Sequence, residues 1–129
     1  MLDYDAYVED FNRNDERGTV ERWFTDDLVV EVPGQVITGP EPWIAFLEAS
    51  HAGGVQETLT PVTVLQQGDR IMAEVDITFV AADGRPDFPL VPLAPGRPAT
   101  LKFFAVYHLR DDKIARLKLA FWPEPLRST

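Results

Sequence analysis

Tyr4, Tyr7, Val8 and Phe11 stand at i, i+3, i+4 and i+7, which puts four large side chains on one face of a helix. The polar run Asn12-Arg13-Asn14-Asp15 breaks that helix and can cap the next one. Val20, Trp23 and Phe24 mark a second, short amphipathic helix that ends near Asp26-Asp27. Leu28 to Val32 reads as a strand, turned at Pro33-Gly34. Thr38 and Glu41 have the spacing of a capping box, with Pro40 in the first turn. They open a third helix through Trp43, Phe46, Leu47 and Ser50, which ends at His51-Ala52-Gly53-Gly54.

After Gly54 the period changes to two. Thr58 to Gln66 is a strand in which Pro61 calls for an edge or a bulge. Gln67-Gly68-Asp69-Arg70 is a hairpin turn, and Ile71 to Ala81 is a long strand. Ala99 to Arg110 and Ile114 to Trp122 are two more strands, joined at Asp111-Asp112. Between them and the fourth strand, Pro86, Pro89, Pro92, Pro95 and Pro98 recur every three residues, the polyproline II period. Phe88, Leu90, Val91 and Leu93 lie among these prolines and need a surface to bury against, so the segment reads as a rim loop or lid, or as a stiff connector. Three helices followed by long antiparallel strands predict an α+β fold, with the helices packed on one face of a curved sheet.

Composition narrows the function classes. The 129 residues fit one domain spanning 1–129, and a chain of this length buries about two-thirds of its unfolded surface without a staple. Twelve basic against 21 acidic residues give a charge of −9, which repels phosphate backbones and anionic lipid, so neither nucleic acid nor a membrane surface is expected as a partner. There is no cysteine, which removes thiol nucleophiles and cysteine metal sites. The acidic start Met1-Leu2-Asp3-Tyr4-Asp5 has no apolar run behind it, and no stretch approaches the ~20 apolar residues of a membrane span. A cytoplasmic location is therefore expected. His51 and His108 lack metal-ligand spacing, and phosphate-binding glycine loops and dinucleotide fingerprints are absent, so neither metal nor cofactor is expected. His51 reads as a cation at a helix C-terminus, or as a group at a pocket mouth.

Several local motifs fall in a telling order. They are Tyr7-Val8-Glu9-Asp10-Phe11-Asn12, then Trp23-Phe24-Thr25-Asp26-Asp27 leading into Val29-Val30-Glu31-Val32-Pro33-Gly34, then Gly96-Arg97-Pro98, and finally Tyr107-His108-Leu109-Arg110-Asp111-Asp112-Lys113-Ile114. In this order the chain resembles the nuclear transport factor 2-like superfamily, which includes steroid isomerases, limonene-epoxide hydrolases and SnoaL-like polyketide cyclases. The resemblance implies a cone-shaped barrel half closed by helices, with an apolar pocket and often a dimer across the outer sheet face. It also implies roles for residues. Tyr7 matches the tyrosine that donates to a substrate oxyanion in the isomerases. The position of the isomerase general base holds Val32, and that of its protonated aspartate falls near Ala105. Glu74-Val75-Asp76 aligns with the arginine and aspartate of the epoxide hydrolases, and their last-strand aspartate falls near Leu119. A fold of this kind hosts many chemistries, so function rests on the site.

Glu74, Asp76 and Thr78 share one face of the fourth strand, while Ile71, Ala73, Val75, Ile77 and Phe79 share the other. The apolar stripe is the cleaner core face and turns the acids toward solvent, where Lys102 or Arg110 could meet them. The resemblance turns them inward, where burial and mutual repulsion would make an acid/base pair. On that reading the catalytic residues are Asp76, Glu74 and Tyr7, in a pocket bounded by Trp23, Phe46, Tyr107, Leu117, Leu119 and Phe121. The first function hypothesis is an acid/base enzyme of the isomerase, cyclase, dehydratase or epoxide-hydrolase type, acting on a small apolar compound. The second is a non-catalytic module that binds such a compound, favoured by the missing acids at Val32 and Ala105.

The fifth and sixth strands are apolar on both faces. Phe104, Val106 and Trp122 occupy the second face, flanked by Lys102, His108, Arg110, Arg116 and Lys118. An apolar centre with a charged rim predicts a homodimer through the outer sheet face, with acidic partners for the rim supplied by the second copy. The tail Pro123–Leu126 or the proline-rich loop of the same chain is the alternative cover.

Overall fold

A computed structural model describes residues 2–122 and 124. The first helix follows the apolar spacing closely, whereas the second ends at Trp23, and Phe24 to Asp27, expected to finish it, open the following strand instead. Helix α1 (Tyr4–Phe11) starts at Asp3, whose side chain accepts the Ala6 N–H at 3.1 Å, and it buries Tyr4, Tyr7, Val8 and Phe11. Helix α2 (Glu16–Trp23) is capped in the same way by Asp15, which accepts from the Gly18 N–H at 3.2 Å. Strand β1 (Phe24–Val32) turns through Gly34, at φ 79, into a short β2 (Gln35–Thr38) that the sequence reading did not separate. Helix α3 (Pro40–His51) departs from expectation at its start. Gly39 is the N-cap, no side chain caps it, and Thr38 ends β2 instead. Glu41 is free to pair with Arg17, both of its oxygens accepting at 2.8 Å.

Strands β3 (Val55–Gln67), β4 (Arg70–Ala81), β5 (Ala99–Arg110) and β6 (Lys113–Phe121) follow. The sheet order is β2-β1-β6-β5-β4-β3, with β1 and β6 parallel and every other pair antiparallel. This is the expected α+β architecture, three helices on a mixed and mainly antiparallel sheet. The sheet is open, with β2 and β3 as its edges, and the helices pack on one face of it, as the half-closed cone requires. Pro61 sits at a register shift on the edge strand β3, so both readings of that proline apply.

The alternation on β4 settles which way its side chains point. Ile71, Ala73, Val75, Ile77 and Phe79 are buried, joined by Leu101, Phe103, Ala105 and Tyr107 of β5. These residues and the apolar faces of the helices form one core. The proline-rich segment between β4 and β5 buries Phe88 and Leu93 on that core. It is built from hydrogen-bonded turns and not from polyproline II, which has no internal hydrogen bonds. Arg85 and Leu93 exchange both backbone bonds, at 2.8 and 3.0 Å, and Phe88 N–H reaches Arg85 C=O. Gly84 is required there: its φ is 75, and a Cβ would meet Leu93 O and Pro95 at 3.0 Å.

On the outer face, Phe104 and Trp122 are 42% and 57% exposed and their rings lie 5.8 Å apart. The basic rim around them is largely partnered within the chain, contrary to expectation. Lys102 meets Glu74 and Asp76, Arg110 meets Asp27, and Arg116 meets Glu31 at 2.9 Å. Apart from Glu124, the tail Pro123–Leu126 lies outside the described residues. Among the described residues no helix is long and apolar enough to cross a membrane.

Candidate functional site

The helices, the inner sheet face and the proline-rich segment line an open-mouthed cavity of about 480 Å³. A space of this size with walls of this kind fits a small organic molecule. Most of the lining is apolar, with Phe46, Leu117, Leu119 and Phe121 among it, and Phe88, Pro89 and Leu90 close one side. Trp43 is also in the wall, and its indole Nε1 has no hydrogen-bond partner among the described residues, which leaves an unused donor there.

The floor holds a tyrosine cluster. Tyr7 comes from α1 because residues 4, 7, 8 and 11 share its inner face, and Tyr107 comes from the inward row of β5. Tyr107 Oη lies 3.1 Å from Tyr4 Oη, and the Tyr7 and Tyr107 ring centroids are 5.9 Å apart. Burial pushes the Tyr7 hydroxyl well above the ordinary tyrosine range, and the nearby Tyr4 and Glu57 raise it further. Burial does the same to Tyr107, aided by Tyr7 and Tyr4. Both phenols are therefore neutral donors throughout the physiological range.

One wall carries a carboxylate that the sequence reading passed over. Glu57 points inward from β3 between Val55 and Leu59 and is 11% exposed at its side chain. His51, at the end of α3, places Nε2 2.8 Å from Glu57 Oε1 and Nδ1 2.9 Å from Glu16 Oε1. Burial draws the His51 pKa down, but its hydrogen bonds to the two carboxylates outweigh it and leave the group above its ordinary value. Two asparagines from the turn after α1 fix the strand. Asn14 takes the Glu57 N–H at 3.1 Å and donates to its C=O at 3.2 Å, and Asn12 does the same to Leu59 at 2.7 and 3.0 Å. These amides satisfy an otherwise unpaired edge and hold Glu57 at the wall. Arg85 also lines the cavity, its Nη1 donating to the carbonyls of Ala49, Ser50 and Ala52. That ties the proline-rich segment to the end of α3, beside His51.

Of the sequence candidates, Tyr7, Phe46, Tyr107, Leu117, Leu119 and Phe121 line the cavity. Asp76 and Glu74 do not. They stand on the opposite sheet face, where Lys102 Nζ is 2.6 Å from Asp76 Oδ1 and 2.5 Å from Glu74 Oε2. The reason is parity: with Val75 and Ile77 in the core, residues 74 and 76 must face out. Trp23 does not line the cavity either. Its indole N–H donates to Asp10 Oδ2 at 2.6 Å, which turns the ring behind Tyr7 at 5.9 Å. Val32, Ala105 and Leu119, at the positions where the resemblance places acids, all line the cavity. The cavity thus lacks acids at those three positions and carries Glu57 instead. Among the described residues no group of three His, Asp or Glu side chains is disposed to hold a metal ion; Glu16, His51 and Glu57 are hydrogen-bonded in line.

Residues 4–117 match the family model described as a SnoaL-like domain. A candidate polyketide cyclase from Xanthomonas campestris pv. campestris superposes with a TM-score of 0.74 at 24% identity, covering 90% of this chain and 84% of that one. A candidate polyketide cyclase from Pseudomonas putida KT2440 gives 0.71 at 25% identity, covering 91% and 86%. A candidate hydroxylase from Streptomyces galilaeus gives 0.69 at 16% identity, covering 92% and 85%. No curated protein matches the chain.

Proposed function

The chain belongs to the SnoaL-like domain family, and on that premise we propose that its cavity takes up a small, mostly apolar compound and promotes acid/base chemistry on it with the protein's own side chains. The observation that carries this reading is the apolar cavity floored by the neutral hydroxyls of Tyr7 and Tyr107. The walls supply the affinity by removing apolar surface from water. Tyr7, and Tyr107 beside it, hydrogen-bond a carbonyl or hydroxyl oxygen of the compound and stabilise negative charge that develops on it. Phe46, Leu117, Leu119 and Phe121 set the shape that is accepted. Isomerisation, cyclisation, dehydration and epoxide opening all fit, because each moves a proton at a compound held by its oxygen.

The test is binding of a bicyclic apolar ketone, followed through Trp43 fluorescence. Tyr7→Phe is expected to weaken it by about three- to tenfold, one hydrogen bond's worth. Leu119→Arg, which fills the cavity, is expected to abolish it. A ketone that bound this variant as well as the parent would overturn the reading. A non-catalytic binding module is the second reading, favoured by Val32, Ala105 and Leu119, three apolar residues at the family's acid positions. We also infer that the outer face around Phe104 and Trp122 pairs with a second copy of the chain.

A further inference from the structure

Building on the cavity reading above, we propose that Glu57 is the proton-carrying residue of the cavity, with His51 and Glu16 as positioning residues behind it. A carboxylate in an apolar wall is strongly disfavoured unless paired and hydrogen-bonded. Here the partner is an imidazole that is 7% exposed and touches carboxylates through both nitrogens, at 2.8 and 2.9 Å. A neutral imidazole has a single N–H and would turn a lone pair toward one of the two carboxylates. The geometry therefore calls for an imidazolium, whose positive charge partners the Glu57 carboxylate. Glu16 is the more exposed of the two carboxylates and anchors the ring from the α2 side.

The other charged groups around His51 fit this arrangement. Asp15 borders the same small gap as Glu16 and His51 at the start of α2. Arg85 is committed to the α3 carbonyls at Ala49, Ser50 and Ala52. Glu57 Oε1 is taken by His51, whereas Oε2 has no protein partner among the described residues. Glu57 is near enough to Tyr7 to raise that hydroxyl's pKa. The cavity therefore combines one acceptor for a proton with neutral donors for the charge left behind, which selects for a neutral carbon acid.

Nitrobenzisoxazole is a suitable probe, being a flat, apolar carbon acid that needs one base and nothing else. Glu57 Oε2 takes the ring C–H proton, the C–H electron pair completes a nitrile, and the N–O bond breaks with its pair left on a phenolate oxygen. The coloured product gives the rate, and Trp43 quenching gives the affinity. Glu57→Gln is expected to cut kcat on the order of 10²-fold with the Kd for the probe retained. His51→Gln keeps a donor to Glu57 but does not titrate, so the step in the parent's pH–rate profile at the His51 pKa should vanish. Should Glu57→Gln fail to fold, Glu57→Asp keeps the charge and withdraws it by one methylene, with a loss of roughly 10²-fold expected. A Glu57 variant that turned over at the parental rate, or an unaltered pH profile in His51→Gln, would overturn the proposal. A probe that failed to bind the parent would instead sink the cavity reading, and this assignment with it.

Discussion

Asp76 and Lys102 face each other across β4 and β5, with Oδ1 and Nζ 2.6 Å apart on the sheet face away from the cavity. The same ammonium reaches Glu74 Oε2, and hydrogen bonds to these carboxylates raise the Lys102 pKa above its ordinary value. The three side chains are partly buried on the outer face, 15–31% exposed, and Glu74 remains as a partner for Lys102 when Asp76 is neutralised. Asp76→Asn is therefore expected to leave ketone affinity and probe turnover unchanged, and to lower unfolding free energy by no more than about 1 kcal/mol. Denaturant titration beside the turnover assay checks both. Loss of turnover without loss of stability would return Asp76 to the chemistry.

The fate of Asp76 marks where the sequence was informative. The β4 alternation was readable as a clean apolar stripe, and it correctly turned residues 74 and 76 outward. The resemblance argued the opposite, because it aligned chemical type and not strand parity. Tyr7 and Tyr107 were legible because each lies in an apolar row that must face the core. Glu57 is hidden in the sequence because the two-residue period is read from Thr58 onward, which places it ahead of the strand. Extending the alternation back through Leu59 and Val55 would have placed it inward. The roles of Asn12 and Asn14 were not legible at all, since their partners at Leu59 and Glu57 are more than forty residues away in the chain.

Asp10 is the second test. Its carboxylate accepts from Arg22 Nε at 2.6 Å and Nη2 at 2.8 Å, and from the Trp23 indole, in a site where its side chain is only 7% exposed. The Arg22 hydrogen bonds, against the cost of burial, lower its pKa from 3.8 to about 2. A depressed carboxylate stabilises the fold above its unfolded pKa and loses that contribution as pH falls through the folded value. The guanidinium is half exposed, so screening trims the effect to roughly 1–2 kcal/mol. Asp10→Asn should lose that amount at neutral pH and show a flatter decline below about pH 4. An unaltered acid limb in urea titrations would contradict it.

His51 should act on the alkaline side. Its folded pKa lies above the ordinary 6.5, held there by Glu57 and Glu16 against burial. A raised histidine contributes its full stabilisation below the unfolded pKa and loses it as pH rises through the folded one. The stability gap between the parent and His51→Gln is therefore expected to be widest below about pH 6.5 and to narrow in the alkaline range. Thermal unfolding of both proteins across that window measures it. A gap that stayed constant with pH would mean that the imidazole is neutral in the folded protein.

The outer face gives the last test. Phe104 and Trp122 lie in ring contact, and Met72 and Leu65 continue the exposed apolar surface across β4 and β3. Val106 joins it, paired in register with Met72. On this face Glu74 stands in register with Phe104 and Lys118 with Val106, so the exposed apolar side chains form a patch set between charged ones. Lys102, Arg110 and Arg116 are already neutralised by acids of their own chain, so a second copy can approach without burying three unpaired cations. The association is thus expected to be driven by apolar area and to be insensitive to salt, unlike one held by a charged rim. Light scattering at micromolar concentration should give twice the 14.5 kDa chain mass in both low and moderate salt. Phe104→Asp, which puts a charge at the centre of the patch, should return the monomer with the cavity still able to bind ketone. A monomer mass for the parent, or a dimer that dissolves on adding salt alone, would refute this account.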